Sequence, residues 1–588
     1  MNNVRDEKEI RIQGIPAAPG VARGAAFVFF AEGLQVPCYS IAESSLENER
    51  QRFLDALVAT RKQLVVLRDK VARDLGEKEA GIFDAHLLVL DDPAFISEPI
   101  QLMLQRRTNI ECNFHHVAEK YIECFSSLED DYLKERVGDV RDVAQRVLYN
   151  LLGLSQRTLS EVTDKRVIVA EDLSPSDTAS MEKGHALAIV TDSGNRTSHA
   201  VIMSRSLRIP AVVGLMSATK KIAAGDDVLV DGHEGIVFVN PSEKTLWRYG
   251  HIEKMRTAFA HRVQAEVALS NSTSDGKPFK LSANVNGIED MEGVHKYHAQ
   301  GVGLFRTEGI FLKDPHHLPD EEAQYAFYSD VVTAARPHRV IVRTLDIGGD
   351  KPHDTLLSGG VAEANPFMGF RAIRYCLERK DVFRTQLRAI LRASIHGRVK
   401  VMFPMISSLD ELLQARDFFD KVCAELKQNS IPFDENIPIG SMIEIPSAAY
   451  SAQLLAAHCD FFSIGTNDLV QYMLAVDRGN SRIAHLYDPC NPAVLGILRH
   501  VIGSAKDKHI EVSVCGELAG DTMFAPLLIA LGADSLSMTP TAIPEVRYLL
   551  RHSDATALNK LVNEAYAEQD PQKTSQILRE YAQSRLTI

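Results

Sequence analysis

The spacing of hydrophobic residues changes along the chain. Between residues 10 and 30, short apolar runs alternate with glycine and proline, which predicts short strands joined by tight turns. From about residue 44, apolar residues recur at the spacing of one helical face: Leu46, Phe53, Leu57, Leu64, Leu67, Val71 and Leu75. Helical patterns continue to about Leu152 with a break at Asp91-Asp92-Pro93, so this region is predicted to be a helical hairpin or small bundle.

Residues 166 to 240 return to short apolar runs separated by turns. Five strands are predicted here: 166–170, 186–190, 211–213, 227–231 and 235–239. Because such a unit needs more strands, we expect the early strands to complete its sheet, which makes the helical region an insertion into a discontinuous α/β domain. Trp247, His251, Met255 and Phe259 then recur at four-residue steps and predict a bridging helix.

Beyond about residue 271 the pattern becomes strand, turn and helix, repeated. Seven strands are predicted, at 279–284, 301–306, 340–344, 399–404, 439–445, 461–464 and 510–515. An eighth strand is placed near residues 387–393. Alternation of this kind favours parallel strands and a closed (β/α)₈ TIM barrel. An open doubly wound sheet is the alternative.

Composition narrows the class of protein. A chain of 588 residues predicts two to four domains, and 45% hydrophobic with 24% charged residues is ordinary for a globular protein. The polar start and the lack of a long apolar run predict a cytoplasmic protein without membrane insertion. A net charge of -13 disfavours nucleic-acid binding and suits a basic protein partner.

The eight cysteines are scattered without a C-x-x-C pair, which is evidence against both a zinc cluster and a disulfide framework. A catalytic role for one of them stays open. Between Asp74 and Asp92, six acidic residues and one lysine surround the apolar run 87–90. This stretch is either a solvated helix end over core leucines or a docking surface for a basic partner.

A glycine-bearing polar loop precedes His199 and places that histidine at the start of an apolar helical pattern. A helix start offers unpaired N–H groups and the positive end of the helix dipole. Thr197, Ser198 and His199 are therefore a candidate seat for an anion such as phosphate. An ordinary capped helix with a histidine in its first turn is the alternative.

Polar residues end the predicted barrel strands, where barrel enzymes place their catalytic groups. Four arginines and two isolated carboxylates are expected to converge there with Asn467: Arg306, Arg343, Arg371, Arg478, Glu444 and Asp468. Arginine forks bind phosphate and carboxylate oxygens, and carboxylate ligands suit Mg²⁺, so we expect a small polyanionic substrate. Cys515 ends another strand and is either a proton donor or acceptor or an inert buried thiol.

Eight ordered motifs between about Ile12 and Leu550 resemble those of the Enzyme I family, the phosphoenolpyruvate-protein phosphotransferases that begin the bacterial sugar phosphotransferase system. The motifs are Gly194-Asn-Arg-Thr-Ser-His199, Gly303-Leu-Phe-Arg-Thr-Glu308, Arg343-Thr-Leu-Asp-Ile-Gly-Gly-Asp-Lys351, Asn365-Pro-Phe-Met-Gly-Phe-Arg371, Met442-Ile-Glu-Ile-Pro446, Gly465-Thr-Asn-Asp-Leu469, Val476-Asp-Arg-Gly-Asn480 and Cys515-Gly-Glu-Leu-Ala-Gly520.

The resemblance implies an architecture of four parts. A phosphohistidine α/β swivelling domain would comprise residues 1–40 and 153–241, interrupted by a helical HPr-binding domain at 41–152. A linker helix at 242–270 would lead to a phosphoenolpyruvate-binding TIM barrel at 271–588, which also dimerises. The implied partners are phosphoenolpyruvate, an HPr-like phosphocarrier and a second copy of the chain.

It also implies a role for each site residue. His199 would be phosphorylated, Thr178 would orient it, and Cys515 would protonate enolpyruvate to pyruvate. Substrate ligands would be Arg306, Arg343, Arg371, Asn467 and Arg478, and the Mg²⁺ ligands would be Glu444 and Asp468. Asn195 departs from the family, which has a second glycine there, although asparagine tolerates a left-handed backbone better than most residues.

Three alternatives share part of this pattern. A regulatory, nitrogen-type paralogue would have the same chemistry and a different HPr-like carrier. A pyruvate dikinase or phosphoenolpyruvate synthase would need an ATP-binding domain, and the region before His199 has no P-loop motif. A phosphoprotein without catalysis would lack parts of the barrel constellation, which the sequence has in full.

Overall fold

The structure is a computed structural model that describes residues 9–29, 34–75, 77–127, 131–154, 158–181, 184–194, 199–312, 317–348, 365–478, 480 and 483–586. The chain forms two compact units, Met1–Glu253 and Lys254–Ile588. Each unit has its own hydrophobic cores.

An eight-stranded mixed sheet forms the α/β part of the first unit. Its strands are β1 (Ile10–Gln13), β2 (Ile15–Ala18), β3 (Val21–Phe29), β4 (Arg166–Ala170), β5 (Ala186–Thr191), β6 (Ala211–Val213), β7 (Asp227–Asp231) and β8 (Ile236–Val239). They lie in the order β1-β8-β7-β3-β4-β5-β6-β2, with β3 parallel to β4 and antiparallel to β7. The early strands therefore complete the later sheet, as predicted.

The region between β3 and β4 is helical. Its helices are α1 (Leu46–Leu75), α2 (Glu77–Leu90), α3 (Pro93–Arg106), α4 (Ile110–Ser127) and α5 (Asp131–Leu152). Phe53, Leu64, Phe83 and Phe114 are fully buried in one core, which confirms the predicted bundle. The predicted break is also confirmed, because Asp92 caps α3 by accepting a hydrogen bond from the Ala94 N–H at 2.8 Å.

One expectation about the cysteines is wrong. Cys38 and Cys112 form a disulfide across 74 residues of sequence, with their Cα atoms 5.0 Å apart. Asn109 brings the two segments together, because its side chain accepts from the Tyr39 N–H and donates to the Pro37 carbonyl, both at 2.9 Å. Short-range cysteine spacing carries no information about a pairing made by tertiary structure.

The second unit contains a closed barrel of eight parallel strands, which confirms the TIM barrel over the open sheet. The strands are β9 (Lys280–Val285), β10 (Val302–Arg306), β11 (Arg339–Arg343), β12 (Arg398–Phe403), β13 (Ile439–Ile443), β14 (Phe461–Ile464), β15 (Glu511–Val514) and β16 (Ser535–Met538). β16 pairs with β9 and closes the barrel.

The eighth strand was predicted in the wrong place. Residues 387–393 belong to a helix, Lys380–Ala393, that buries Val382, Phe383, Leu387 and Ile390 on one face. The strand is β16, whose sequence Ser-Leu-Ser-Met alternates small polar residues facing the barrel interior with apolar residues facing the helices. Four residues with two serines give a weak hydrophobic signal.

Helices α6 (Pro175–Ser180), α7 (His199–Leu207), α8 (Ala218–Lys221) and α9 (Glu243–Ala265) accompany or follow the mixed sheet. The second unit continues with α10 (Met291–Lys296), α11 (Glu308–Phe311), α12 (Glu321–Ala334), α13 (Ile373–Glu378), α14 (Lys380–Ala393), α15 (Leu409–Gln428), α16 (Pro446–Tyr450), α17 (Ala452–Leu455), α18 (Thr466–Leu474), α19 (Pro492–Asp507), α20 (Ala525–Leu531), α21 (Ile543–Arg551), α22 (Ala555–Ala567) and α23 (Pro571–Leu586). Among the described helices, none combines the length and apolar character needed to span a membrane.

Candidate active site

His199 is the first residue of α7, as the sequence predicted. The described backbone before it ends at Gly194, whose φ of 101° lies in the left-handed region that favours glycine. The predicted anion-binding residues Thr197 and Ser198, together with Asn195, lie outside the described residues, as does the side chain of His199. The phosphorylation of His199 therefore stays a prediction.

Thr178 lies on α6, a helix that begins with a capping box. The Ser174 hydroxyl accepts from the Asp177 N–H at 3.1 Å, the Asp177 carboxylate accepts from the Ser174 N–H at 3.0 Å, and Pro175 occupies the first turn. The Thr178 hydroxyl is buried and donates within the helix to the carbonyls of Ser174 and Pro175 at 3.2 and 3.0 Å. Its predicted role in orienting a histidine remains untested.

The barrel gathers the other predicted residues at one mouth. Arg306 and Arg343 end β10 and β11, Glu444 follows β13, Asn467 and Asp468 lie in the first turn of α18 after β14, and Cys515 follows β15. Because all eight strands are parallel, these carboxyl-terminal ends share one face of the barrel.

Arg343 is buried between two carboxylates. Its Nη2 atom lies 2.6 Å from Glu308 Oε1, and its Nη1 atom lies 2.8 Å from Asp346 Oδ2. Burial opposes its charge, but the carboxylates of Glu308, Asp346 and Glu444 outweigh burial and raise the pKa of Arg343 above its usual value. The guanidinium is therefore a fixed positive charge in the floor of the mouth.

Arg371 shares one of these carboxylates. Its Nη2 atom lies 2.8 Å from Asp346 Oδ1, and its Nη1 atom donates to the Tyr472 hydroxyl at 3.4 Å. Gly348 permits this arrangement, because a Cβ atom there would lie 2.4 Å from the Arg371 Cβ atom. Its φ of 124° also favours glycine.

Arg306 and Arg478 are more accessible. Arg306 is half-buried, and among the described side chains none forms an ion pair or hydrogen bond with it. A guanidinium fork of this kind suits an anion. Arg478 is exposed, and its Nη1 atom lies 3.5 Å from Glu517 Oε1. Both arginines lie within electrostatic range of the mouth, since the charge of Arg306 opposes the rise in the pKa of Cys515 and the charge of Arg478 opposes the rise in the pKa of Asp468.

Glu444 and Asp468 are the predicted metal ligands. Burial and the charges of Asp468 and Asp346 raise the pKa of Glu444 to about 8. Burial and the charge of Asp346 likewise raise the pKa of Asp468. Within the described residues, no group of three or more histidine, cysteine or acidic side chains is arranged to hold a metal. Two carboxylates nevertheless suit Mg²⁺, which keeps several waters and takes substrate oxygens into its shell.

The prediction of two isolated carboxylates is wrong. Among the described residues the mouth also contains Glu308, Asp346 and Glu517, so four arginines face five carboxylates. This balance repels a polyanion unless a cation accompanies it. A divalent cation at Glu444 and Asp468 would fit that requirement, because its charge would offset the burial and the carboxylate repulsion that raise their pKa values.

Cys515 lies at the base of the mouth with 2% of its surface exposed. Burial is the main cause that raises the pKa of its thiol to about 11, and the charge of Glu444 adds to the rise. The hydrogen bond with Ser463 and the charges of Arg343 and Arg306 oppose it. The Sγ atom contacts the Ile464 carbonyl at 3.6 Å. A thiol that stays protonated at neutral pH can act as a general acid.

Asn467 does not point a free amide into the mouth. Its Nδ2 atom donates to Glu517 Oε1 at 3.0 Å, and its Oδ1 atom accepts from the Glu517 N–H at 2.8 Å. Glu308, Asp346 and Glu517 are carboxylates of this site to which the sequence assigned no role. Each lies inside a motif that the sequence did mark, and the motifs are Gly303 to Glu308, Arg343 to Lys351 and Cys515 to Gly520.

Comparisons with known proteins show similarity along most of the chain. Three family models match: "PEP-utilising enzyme, N-terminal" at 13–136, "PEP-utilising enzyme, mobile domain" at 162–235 and "PEP-utilising enzyme, PEP-binding domain" at 260–555. Curated relatives named phosphoenolpyruvate-protein phosphotransferase are similar over nearly their full length. The chain is 40% identical to that of Listeria monocytogenes (97% of this chain, 99% of the relative), 43% to that of Priestia megaterium (92% and 93%) and 38% to that of Haemophilus influenzae (97% and 99%).

Proposed function

The chain belongs to the family of phosphoenolpyruvate-protein phosphotransferases, and on this basis we propose that it transfers the phosphoryl group of phosphoenolpyruvate to its own His199 and then to a histidine of an HPr-like carrier, releasing pyruvate. This is the first step of the sugar phosphotransferase system. The observation that carries the proposal is the barrel mouth, where Arg306, Arg343 and Arg371 meet Glu444, Asp468 and Cys515.

Each part of the chain has its own role in the proposed reaction. We assign residues 1–40 and 153–241 to the phosphohistidine domain, 41–152 to the helical carrier-binding domain, 242–270 to the linker helix and 271–588 to the phosphoenolpyruvate-binding barrel. The shared sheet of β1 to β8 supports the discontinuous first domain. The matches to N-terminal, mobile and phosphoenolpyruvate-binding family models support the order of the parts.

The arginines would bind the substrate's two anionic groups. The fork of Arg306 suits the phosphate, and the accessible Arg478 adds charge at the rim. Arg343 and Arg371, fixed by Asp346, would present their remaining N–H groups in a set orientation. Asn467 would bind substrate through its amide once Glu517 releases it.

Glu444 and Asp468 would hold Mg²⁺, which would supply positive charge to offset the negative charge of the substrate. The position of Glu444 is fixed by the Met405 N–H, which donates to its Oε1 at 2.6 Å.

The chemical step is an in-line displacement. An imidazole nitrogen of His199 forms a bond to phosphorus while the bond from phosphorus to the enol oxygen breaks, and the electron pair goes to the enolate. The Cys515 thiol then gives its proton to the terminal enolate carbon, which yields pyruvate and a thiolate that solvent reprotonates. The phosphohistidine finally passes its phosphoryl group to the carrier's histidine, which regenerates His199.

The carrier would dock on the helical region around residues 74–92. Part of the acidic stretch is neutralised, because Asp84 lies 2.8 Å from Arg68 Nε and Asp91 pairs with Arg61. Leu88 on α2 is 73% exposed and offers an apolar contact beside these charges. Of this stretch, the side chains of residues 74–79 lie outside the described set.

We also propose that the enzyme is a cytoplasmic homodimer joined through its barrel. Tyr450 and Leu454 on α16 and α17 are 70% and 53% exposed and add apolar area to the outer surface of the barrel. Sedimentation equilibrium would show a dimer, and a monomer at all concentrations would contradict this assignment.

Labelling with [³²P]phosphoenolpyruvate and Mg²⁺ tests the proposal. The wild-type chain should take up one phosphoryl group per chain in an acid-labile, base-stable linkage and release pyruvate in a lactate dehydrogenase-coupled assay. His199→Ala should take up none, and His261→Ala, changed at a histidine of α9, should label like the wild type. Labelling of His199→Ala would show that another residue is the acceptor.

A further inference from the structure

The first unit contains a cavity of about 500 Å³ that no step of phosphoryl transfer uses. It lies between α1, α6 and α7, and its described lining includes apolar side chains on each of these elements or at their ends. Val71, Met181 and Met203 are buried in its wall with 2%, 8% and 7% of their surfaces exposed. A volume of this size is typical of pockets for small organic ligands.

Three basic side chains line the same cavity: Lys70, Lys165 and Arg208. No acidic residue is among its described lining residues, although the whole chain carries a net charge of -13. The Lys70 ammonium donates to the carbonyls of Ser180 and Met181 at 3.2 and 3.1 Å. Within the described part of the chain, none of the three cations has a carboxylate partner.

From this combination we infer that the cavity binds a small amphiphilic anion, an organic carboxylate with an apolar body. The apolar body would displace water from the buried methionine and valine side chains. The carboxylate would lie among the three cations, and no acidic side chain is among the described residues that line the cavity. A bare inorganic anion would leave the apolar wall uncovered, and a neutral amphiphile would leave the cations unpaired.

The ligand would contact the helix that begins with His199. Met203, Ser206 and Leu207 of α7 all line the cavity, and Met203 lies one turn after His199. Occupancy would therefore stabilise α7 against α1. The inference does not depend on the proposed phosphotransfer, because it rests on the cavity and its charges alone.

Octanoate is the probe, titrated into the full-length protein by isothermal calorimetry. We expect one octanoate per chain, with 1-octanol and acetate each binding at least about tenfold more weakly, since each lacks one of the two features that the cavity recognises. Equal binding of 1-octanol would show that the cations play no part. Equal binding of acetate would show that the apolar wall of the cavity plays no part and that the anion binds to other cations, such as the barrel arginines. Either result would overturn the inference.

Paired variants locate the site. Lys165→Gln/Arg208→Gln changes two exposed side chains and should weaken octanoate at least about tenfold, whereas Lys220→Gln/Lys221→Gln, on the exposed surface of α8, should change affinity less than twofold. Methyl NMR of the ¹³C-methionine-labelled protein gives a second readout. Octanoate should shift the signals of Met181 and Met203, and their insensitivity at saturation would overturn the assignment even if the variants changed affinity.

Discussion

The Asp346 carboxylate joins Arg343, at the end of β11, to the rest of the barrel mouth through a contact of 2.8 Å between Oδ2 and Nη1. Its second oxygen lies 2.8 Å from Nη2 of Arg371, which precedes α13. One buried carboxylate thus sets the relative orientation of two guanidinium groups from separate segments. We therefore expect Asp346 to position the two arginines and to take no part in bond making.

Asp346→Asn should raise the KM for phosphoenolpyruvate at least about tenfold, a loss of about 1.4 kcal/mol of binding. An amide has a single acceptor oxygen and would turn its NH₂ group toward one guanidinium. The coupled pyruvate assay measures the effect. Asp381→Asn is the matched control, since Asp381 is exposed and pairs with exposed Arg379 at 2.9 Å, and its KM should stay within about twofold. A wild-type KM for Asp346→Asn would dismiss the positioning role.

Arg306→Lys should lower kcat/KM at least about tenfold although it keeps the positive charge, because a lysine cannot bind a phosphate with two parallel N–H groups. Arg339→Lys provides the control at the opposite end of the barrel, where β11 begins and the side chain is 55% exposed. That variant should behave like the wild type. Equal losses in both variants would indicate a general effect on barrel stability.

Cys515→Ala should separate the two halves of the reaction. Phosphorylation of His199 should persist, because the thiol acts after the phosphoryl group has left. Enolisation of pyruvate by the phosphorylated enzyme, followed as exchange of the methyl protons with D₂O, should slow by about 10²-fold or more. Cys124→Ala, at an exposed cysteine, should leave both rates unchanged. Unaltered exchange in Cys515→Ala would assign the proton to another group.

Asp177 makes stability depend on pH. Burial and the charge of Asp142 raise its pKa to about 6, against the hydrogen bonds from Ser174 and the charge of Arg146. A carboxyl group with a raised pKa stabilises the fold below its unfolded pKa and loses that contribution as pH rises through the folded value. Asp177→Asn removes the charge and keeps an acceptor for the Ser174 N–H.

This variant should therefore be more stable than the wild type at pH 8 by about 1–3 kcal/mol and nearly equal to it at pH 4. Urea unfolding at the two pH values measures the difference. Asp164→Asn, at an exposed residue 3.5 Å from Arg166, should change stability little at either pH. If Asp177→Asn destabilised the protein equally at both values, the helix cap would outweigh the buried charge.

Reduction of the Cys38–Cys112 disulfide should lower the stability of the first unit by about 2–4 kcal/mol, because the bond closes a loop of 74 residues in the unfolded chain. Thermal unfolding with and without dithiothreitol measures this loss. Cys112→Ser should unfold at the reduced temperature and be insensitive to the reductant. Alkylation of all eight cysteines in unfolded, unreduced protein would show that the bond does not form.

The closed barrel and the split α/β sheet followed from periodicity, because a repeated alternation of strand and helix leaves few ways to bury both faces of each strand. The eighth strand was not predicted correctly, because the two serines of β16 weaken its apolar pattern. The helix at Lys380–Ala393 has a stronger apolar pattern and was mistaken for the strand. The disulfide was missed for a related reason. Its cysteines meet because the Asn109 side chain and the backbone pairing of Ser40 with Thr108 hold their segments together.

The sequence by itself determined which residues end the barrel strands, and so which arginines, carboxylates and cysteine share the mouth, because strand direction fixes where strand ends lie. Tertiary structure alone decided how their charges combine: Asp346 bridges two arginines, Glu517 holds Asn467, and Arg306 pairs with none of the described side chains. Whether two side chains form an ion pair depends on the distance between their charged atoms to within fractions of an ångström. The spacing of residues along the chain does not determine that distance for side chains on different strands.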